Sequence, residues 1–345
     1  MVRLAAVLSD PGRGVAMEVE VADGETLAVL GPNGAGKSSL LAAIAGLWRP
    51  AEGHVTVGER VLVADGVWVP PHRRSVALLG QEARLFPHLT VRENVAFGPR
   101  SQGRSDATRL GDQWLEQVGG SALAERRPRE LSGGQAQRVA IARALAVEPD
   151  VVLLDEPLAA LDVEAVPELR RLLRVILART TTVLVTHDPL DALSLADRAV
   201  VVEAGRIVHE GPARDVLLHP RSAFGAALAG VNLVEGVATG VDTVRANDGR
   251  ELTGIAARPL SAGAGATATF APTAVALHRE QPAGSPRNVL RGTVGAIESR
   301  GATCRVEIEG WIADVTTAAA AELRLEPGDD LWLSIKATEV RLEPV

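Results

Sequence analysis

The sequence is short of several things. It has one cysteine, Cys304, no tyrosine, four phenylalanines and only two lysines, Lys37 and Lys336, among 36 basic residues. A lone thiol excludes a disulfide framework or a cysteine-rich metal site within the chain and suits a reducing compartment. As a small apolar residue in a strand it needs no further role. No uncharged apolar run approaches the roughly eighteen residues that a membrane-spanning helix needs, so any membrane role is expected to be peripheral. Met1 to Gly14 holds only a short apolar stretch before Asp10 and Pro11 and does not read as a signal peptide. A basic excess is missing too: the formal charge is −7 and the pI near 5.6. That argues against nucleic-acid binding, because neutralising phosphates needs a basic face.

What is present is the composition of a folded protein. Of 345 residues, 46% are apolar and 23% charged, which predicts a soluble chain with one large domain and a smaller one. Residues 19 to 30 read as strand, turn at Asp23-Gly24 and strand, leading into a glycine-rich loop. From Lys37 to Leu47 the spacing of Leu40, Leu41, Ile44 and Leu47 is helical. Val151 to Leu154 and Thr182 to Val185 are short, wholly apolar runs, each followed by charged residues and a helical segment. Such strands alternating with helices predict a mainly parallel sheet covered on both faces. After Gly230 the chain turns to short β-rich segments, Val289 to Ile297, Cys304 to Ile312 and Leu331 to Ala337, which predict a small all-β domain and a boundary near 230. Within it, Asn232 to Val237 is echoed by Asn288 to Val294, and Pro272 to Leu277 by Ala337 to Leu342. The echo is either an internal duplication or the ordinary result of alternating strands.

Gly31-Pro32-Asn33-Gly34-Ala35-Gly36-Lys37-Ser38 fits the pattern G-x-x-x-x-G-K-[ST]. The glycines let successive backbone N–H groups turn inward around an anion, and the following helix adds its positive end. Lys37 would place a point charge on the β and γ phosphates, Ser38 would ligate Mg²⁺, and Ser39 would serve the start of the helix. The apolar strand from Val151 delivers Asp155 and Glu156 to the sheet edge where ligands bind in such folds. Asp155 would hold Mg²⁺, directly or through water, and Glu156 would act as general base or orient the attacking water. An Asp-Glu pair alone is usually a solvated turn. Behind an apolar strand, in a chain that carries a phosphate loop, the chemical reading is favoured.

Leu131-Ser132-Gly133-Gly134-Gln135 stands ahead of a helical stretch from about Gln137 to Ala146. Together with the phosphate loop and the Asp-Glu strand, in this order and spacing, it resembles the signature sequence of ABC ATPases. Three further landmarks of that family follow: Gln81 after the strand Ser75 to Gly80, Leu161-Asp162 after Glu156, and His187 after the strand ending at Val185. The resemblance covers residues 1 to 230 and implies an α/β P-loop NTPase of ABC type with a helical subdomain. It further implies a homodimer in which Ser132, Gly133, Gly134 and Gln135 of one copy cap, in trans, the ATP held by Gly31 to Ser39 of the other. His187 would contact the γ-phosphate and support Glu156, Gln81 would touch the metal or the attacking water, and Asp162 would lie at the dimer contact. One departure stands out. The family stacks adenine on an aromatic before the second strand, and Ser9 to Val15 contains none, which predicts weak discrimination between ATP and GTP.

One phosphate loop and no long helical insertion between Gln81 and Leu131 disfavour the DNA-maintenance branch of that family. Leu85 to Val95 resembles importer ATPases, in which the region from Gln81 forms the groove for a short helix of a membrane permease. Phe86 and Leu89 fit that groove and ordinary core equally. The tail resembles the small, OB-like β-domains that bind molybdate and tungstate and close the ATPase subunit of molybdate importers. The match spans 285 to 342 and is carried by Ser285-Pro286-Arg287-Asn288 followed by Val289 to Val294, Thr316 to Leu323, Pro327-Gly328 and Ile335-Lys336-Ala337, with Pro286 where the family favours alanine. By that resemblance Ser285, Arg287, Asn288, Thr316 and Lys336 would hold a tetrahedral dianion, which needs hydroxyls, amides and fixed cations. Lys336 is otherwise a solvated lysine at a strand end.

The expected whole is an ATPase at the cytoplasmic side of the plasma membrane, 1–230 followed by a regulatory domain 231–345. It would drive molybdate or tungstate import with two permease subunits and, indirectly, an external binding protein. Import of another solute such as sulfate, and a molybdate-binding or storage protein, remain as alternatives at this stage.

Overall fold

The structure, a computed structural model, describes residues 2–159, 161–284 and 286–344. It divides into two compact units, Met1–Val216 and Leu217–Val345. The first contains, in chain order, β1 (Val2–Asp10), β2 (Val15–Ala22), β3 (Thr26–Leu30), β4 (Glu52–Val57), β5 (Arg60–Ala64), β6 (Val67–Trp68), β7 (Val76–Leu79), β8 (Val151–Asp155), β9 (Thr182–Val185), β10 (Arg198–Glu203) and β11 (Arg206–Pro212). The helices are α1 (Lys37–Ala45), α2 (Val91–Ser101), α3 (Ala107–Gln117), α4 (Gly133–Leu145), α5 (Val166–Leu177), α6 (Pro189–Leu195), α7 (Ala213–Leu218), astride the division, and, in the second unit, α8 (Ala223–Ala229).

Two sheets organise the first unit. One is antiparallel, in the order β2-β1-β4-β5-β6, and β2 alternates buried and exposed residues, as a strand covered on one face must. The other runs β11-β10-β3-β9-β8-β7 and is parallel except at its β11 edge. Every residue of β3 and β9 is buried, which is why these runs carry no polar alternation. Since β3, β8 and β9 point the same way, the loops after Leu30, Asp155 and Val185 emerge at one sheet edge. That edge carries the site. The helices α2, α3 and α4 pack on one another over a separate apolar cluster that includes Val95, Leu115, Val139 and Leu145.

Two helix limits differ from expectation. The predicted helix from Lys37 to Leu47 stops at Ala45, where the Gly46 N–H turns back to Ala42 O and Ala43 O and closes the last turn. The signature helix starts at Gly133, not near Gln137, because Ser132 and Gln135 form a capping box that offsets the poor helix propensity of Gly133 and Gly134.

After α8, the second unit carries β12 (Asn232–Ala238), β13 (Thr243–Ala246), β14 (Glu251–Thr253), β15 (Ile255–Ala256), β16 (Gly265–Phe270), β17 (Ala276–His278), β18 (Asn288–Arg300), β19 (Thr303–Ile308), β20 (Trp311–Thr316), the short helix α9 (Thr317–Glu322), β21 (Asp330–Ile335) and β22 (Arg341–Pro344). The expected single segment Cys304 to Ile312 is two strands. Glu309 and Gly310, both at positive φ, close a tight hairpin between β19 and β20. Two lobes repeat the same scheme: β12 pairs with β13 and β16 in the first, and β18 pairs with β19 and β21 in the second. Each then passes through a single 3₁₀ turn, Pro272–Ala274 or Ala337–Glu339, into its last strand. Those last strands are exchanged. β22 lies beside β16 in the first lobe's sheet, and β17 lies beside β21 in the second's. The sequence echo is therefore a structural duplication.

Two asparagines fasten the exchange. The Asn232 amide donates to Ile312 O at 2.9 Å and its oxygen accepts from Ile312 N at 2.7 Å. In mirror fashion Asn288 donates to Thr253 O at 2.9 Å and Ile335 O at 3.2 Å and accepts from Thr253 N at 2.7 Å. Both side chains are buried, and each reaches from its own lobe to the backbone of the other through both its amide nitrogen and its oxygen. One apolar core, including Val234, Leu252, Phe270, Trp311, Leu333 and Leu342, serves both lobes.

Candidate functional site

Between β3 and α1 the chain folds into the loop that the glycine pattern predicts. Gly31 has φ 153°, and a Cβ there would lie 2.2 Å from Val202 O. Gly36, the residue before α1, has φ 104°, and its Cβ would meet Met17 Cε at 2.7 Å. Neither position accepts a side chain. The loop turns its backbone N–H groups and the α1 N-terminus toward a cavity of about 210 Å³ lined by Asn33, Gly34, Gly36, Lys37, Ser38, Ser39, Asp155, Glu156 and Val185. Pro32 and Ala35 belong to the same loop, with Ala35 buried behind it and its N–H closing a turn onto Pro32 O.

The electrostatics of the cavity follow from burial. Lys37 is 7% exposed and its ammonium donates to Gly31 O at 2.7 Å and Pro32 O at 2.9 Å. Burial lowers its pKa, and the carboxylates of Glu156 and Asp155 oppose that shift. Burial and the neighbouring Glu156 charge raise the Asp155 pKa, against Lys37 and hydrogen bonding from Ser38. The site thus holds one cation against two carboxylates in partly dry surroundings, a balance that an incoming polyanion with a divalent cation would complete.

Glu156 follows β8 with φ 47°, a left-handed conformation that a glutamate rarely adopts. Its N–H donates to Val185 O at 2.9 Å, which ties the turn after β8 to the end of β9. Its carboxylate lies 3.3 Å from His187 Nδ1. No group of three or more His, Cys, Asp or Glu that could enclose a metal occurs among the described residues. Mg²⁺ asks for less: one or two hard oxygen ligands plus phosphate and water. The Ser38 hydroxyl and the Asp155 carboxylate supply those, so the residues fit that ion.

Gln81 lies two residues past β7, exposed and outside the cavity lining. β7 is parallel to β8 with Leu79 opposite Leu154, so Gln81 stands at the same sheet edge as Glu156. Ser132 caps α4, with Oγ accepting from Gln135 N at 3.3 Å and the Gln135 side chain accepting from Ser132 N at 3.1 Å. Ser132 and Gly133 are exposed, and none of Ser132, Gly133, Gly134 and Gln135 lines the cavity of its own chain. Asp162 is exposed, its carbonyl accepting from Ala165 N ahead of α5. Phe86 and Leu89 are half-buried. Asn94, fully buried, accepts from Phe86 N at 2.7 Å and donates to Phe86 O and Thr90 O, fixing the loop, while the Phe86 ring lies 4.5 Å from that of Phe97.

The residues expected to hold an oxyanion are not gathered in one place. Ser285 lies outside the described residues. Asn288 pairs with Ile335, so Arg287 and Lys336, both exposed, leave the ladder at the same end. Asn288 itself is committed to backbone. Thr316 pairs with Thr303, which pairs with Arg300, and so belongs to the opposite end of β18; its Oγ accepts from Ala319 N as the cap of α9.

Sequence reasoning missed the support of the His187 turn. Thr186, Asp188 and Asp191 bond one another and Arg170 of α5. The only hint in the chain was Asp188-Pro189 as a helix start.

Two family models match the chain. The ABC transporter family model matches residues 15–159, and the TOBE domain model matches 284–342. The chain is similar to the molybdenum import ATP-binding protein ModC of Mycobacterium tuberculosis, 49% identical over an alignment of 359 positions that covers 99% of this chain and 97% of that one. It is also similar to the sulfate/thiosulfate import ATP-binding protein CysA of Mycobacterium bovis, 39% identical over 330 aligned residues, 93% of this chain and 86% of that one. Among solved structures, a dimeric post-hydrolysis state of an ATP-binding cassette bound to ADP and Pi has a TM-score of 0.53 and 29% identity, covering 62% of this chain and 99% of that one.

Proposed function

The chain belongs to the ATP-binding subunits of ABC transporters, and we propose that it hydrolyses MgATP to drive molybdate, and by the same chemistry tungstate, into the cell. The observation that carries the motor half is the single cavity shared by the phosphate loop, Lys37, Asp155 and Glu156. For the cargo, support comes from similarity along almost the whole chain to a molybdenum importer subunit, at higher identity than to the sulfate/thiosulfate one.

In this reading the loop from Gly31 to Ser39 wraps the phosphates and Lys37 leaves its carbonyl partners to neutralise the γ-phosphate. Mg²⁺, held by Ser38 and Asp155 with Gln81 nearby, would offset charge on the β- and γ-phosphate oxygens. Glu156 accepts a proton from the attacking water as the bond from the γ-phosphorus to the bridging oxygen breaks and ADP leaves. His187, held at Glu156, contacts the γ-phosphate. Ser132, Gly133, Gly134 and Gln135 of a second copy close the site. The Ser132 hydroxyl uses only its acceptor side in capping α4, so its proton is free to donate to phosphate. Asp162 lies at that dimer contact.

No described helix is long and apolar enough to cross a membrane. By similarity to import ATP-binding proteins, the subunit would work from the cytoplasmic face, bound to two permease subunits through the loop from Gln81 to Val95 that Asn94 fixes. An external molybdate-binding protein would deliver the solute. Uptake tests the cargo: cells lacking this chain should lose molybdate import and keep sulfate import. Loss of sulfate import alone would overturn the assignment.

The domain reading is 1–230 for the motor and 231–345 for regulation. A cytoplasmic oxyanion sensor in the second fits the TOBE match and the Arg287 and Lys336 cations at one ladder end. Titration calorimetry of the full chain should show heat with molybdate and much less with sulfate; silence with molybdate up to millimolar concentration rejects it.

A further inference from the structure

The His187 side chain is 63% exposed, and its Nδ1 lies 3.3 Å from Glu156 Oε2. It is placed by its neighbours. Thr186 on one side is buried, its hydroxyl donating to Asp191 Oδ2 at 3.2 Å and accepting from Asp188 N at 3.0 Å. On the other side Asp188 accepts from Leu190 N at 2.7 Å as the cap of α6. Both carboxylates then meet one guanidinium: Arg170 Nε donates to Asp191 Oδ1 at 2.7 Å and Nη2 to Asp188 Oδ2 at 3.0 Å. Asp191 is 4% exposed. A cavity of about 90 Å³, lined in part by Glu156, Leu158, Thr186, His187, Asp188 and Asp191, borders the same turn, so close packing does not hold it from that side.

We propose that Arg170 is a positioning residue for ATP hydrolysis, whose fork grips Asp188 and Asp191 and thereby fixes His187 against Glu156. The proposal rests on the catalytic roles given above to His187 and Glu156. A planar guanidinium is suited to bridging two carboxylates in a set orientation, which a lysine cannot do equally well. A buried ion pair adds little net stability, so orientation is the better account of it. Burial raises the Asp191 pKa, as does the neighbouring Asp188 charge, against Arg170 and the Thr186 hydroxyl. Arg170 also stands one turn from the start of α5, whose first turn follows directly on the segment carrying Asp162. The brace therefore links the expected dimer contact to the catalytic histidine.

A double-mutant cycle on the full-length protein separates positioning from general support. Arg170→Met should lower kcat about tenfold with KM for ATP nearly unchanged, the scale of lost orienting partners. Arg170→Lys, which keeps the charge and one donor at a time, should recover part of that loss and guards against a variant that fails to fold. In a His187→Ala background, Arg170→Met should change kcat less than about twofold, because the group it orients is gone. Equal loss in both backgrounds would overturn the proposal, as would an unchanged kcat in Arg170→Met alone. Unchanged kcat in His187→Ala would instead overturn the role of His187, and the brace with it.

Discussion

The two units use their polar side chains in opposite ways. In the first, the groups that matter face open space: Lys37, Ser38, Asp155 and Glu156 line a cavity, and Lys37 rests on two carbonyls that a phosphate can replace. In the second, the buried amides of Asn232 and Asn288 are engaged by backbone, and the cations Arg287 and Lys336 stand outside on the surface. A cavity with unfinished hydrogen bonds and partly desolvated charge is a place for a ligand, whereas a buried amide with its partners taken is a fastener. Residue type alone did not separate the two, since Asn288 looked like a ligand in sequence.

The sharpest break of this contrast is Glu156→Gln, which should cut ATP turnover by about 10²- to 10³-fold while an ATP-dependent dimer persists on size exclusion; undiminished turnover would move the chemistry elsewhere. Next comes Asn288→Ala. Stranding buried backbone groups costs about 2–4 kcal/mol in total, so denaturant unfolding of the second unit should shift while the ATPase rate of the first stays level. If that unfolding does not move, the amide is no fastener.

A smaller effect follows from Asp155. Its pKa is raised, so the ionised carboxylate costs stability near neutrality and protonation relieves that cost as pH falls through the folded value. Mg²⁺ needs the ionised form. The Mg²⁺ concentration for half-maximal turnover should therefore climb several-fold on acidification, and a flat profile would remove Asp155 from the metal. The smallest expected effect concerns the base. With no aromatic between Ser9 and Val15, the ratio of kcat/KM for ATP over GTP should stay below about a hundredfold, the discrimination that hydrophobic fit alone gives; a larger ratio means another group reads the base.

The phosphate loop was legible because its chemistry is contiguous: a strand, eight residues and a helix carry the whole instruction. Asp155 and Glu156 were legible because a run as apolar as Val151–Leu154 has only a sheet interior to occupy. The capping box of Ser132 and Gln135 was written in the sequence and was obscured by Gly133 and Gly134. The brace of Arg170 was not legible at all, because its pairing with Asp188 and Asp191 depends on how α5 lies against the turn after β9, and no local pattern encodes that. In the second unit the echo of Asn232 and Asn288 was visible, but which sheet each last strand joins is decided by tertiary packing.

That exchange has a consequence for how the protein is made. β16 leaves the ribosome with its outer edge bare, and the strand that covers it, Arg341–Pro344, is synthesised only after β18 to β21 of the second lobe. An uncovered edge of this kind invites pairing with other chains. The first lobe cannot close until Arg341–Pro344 has been made, so a chain truncated before Arg341 would leave the sheet edge of the earlier lobe uncovered.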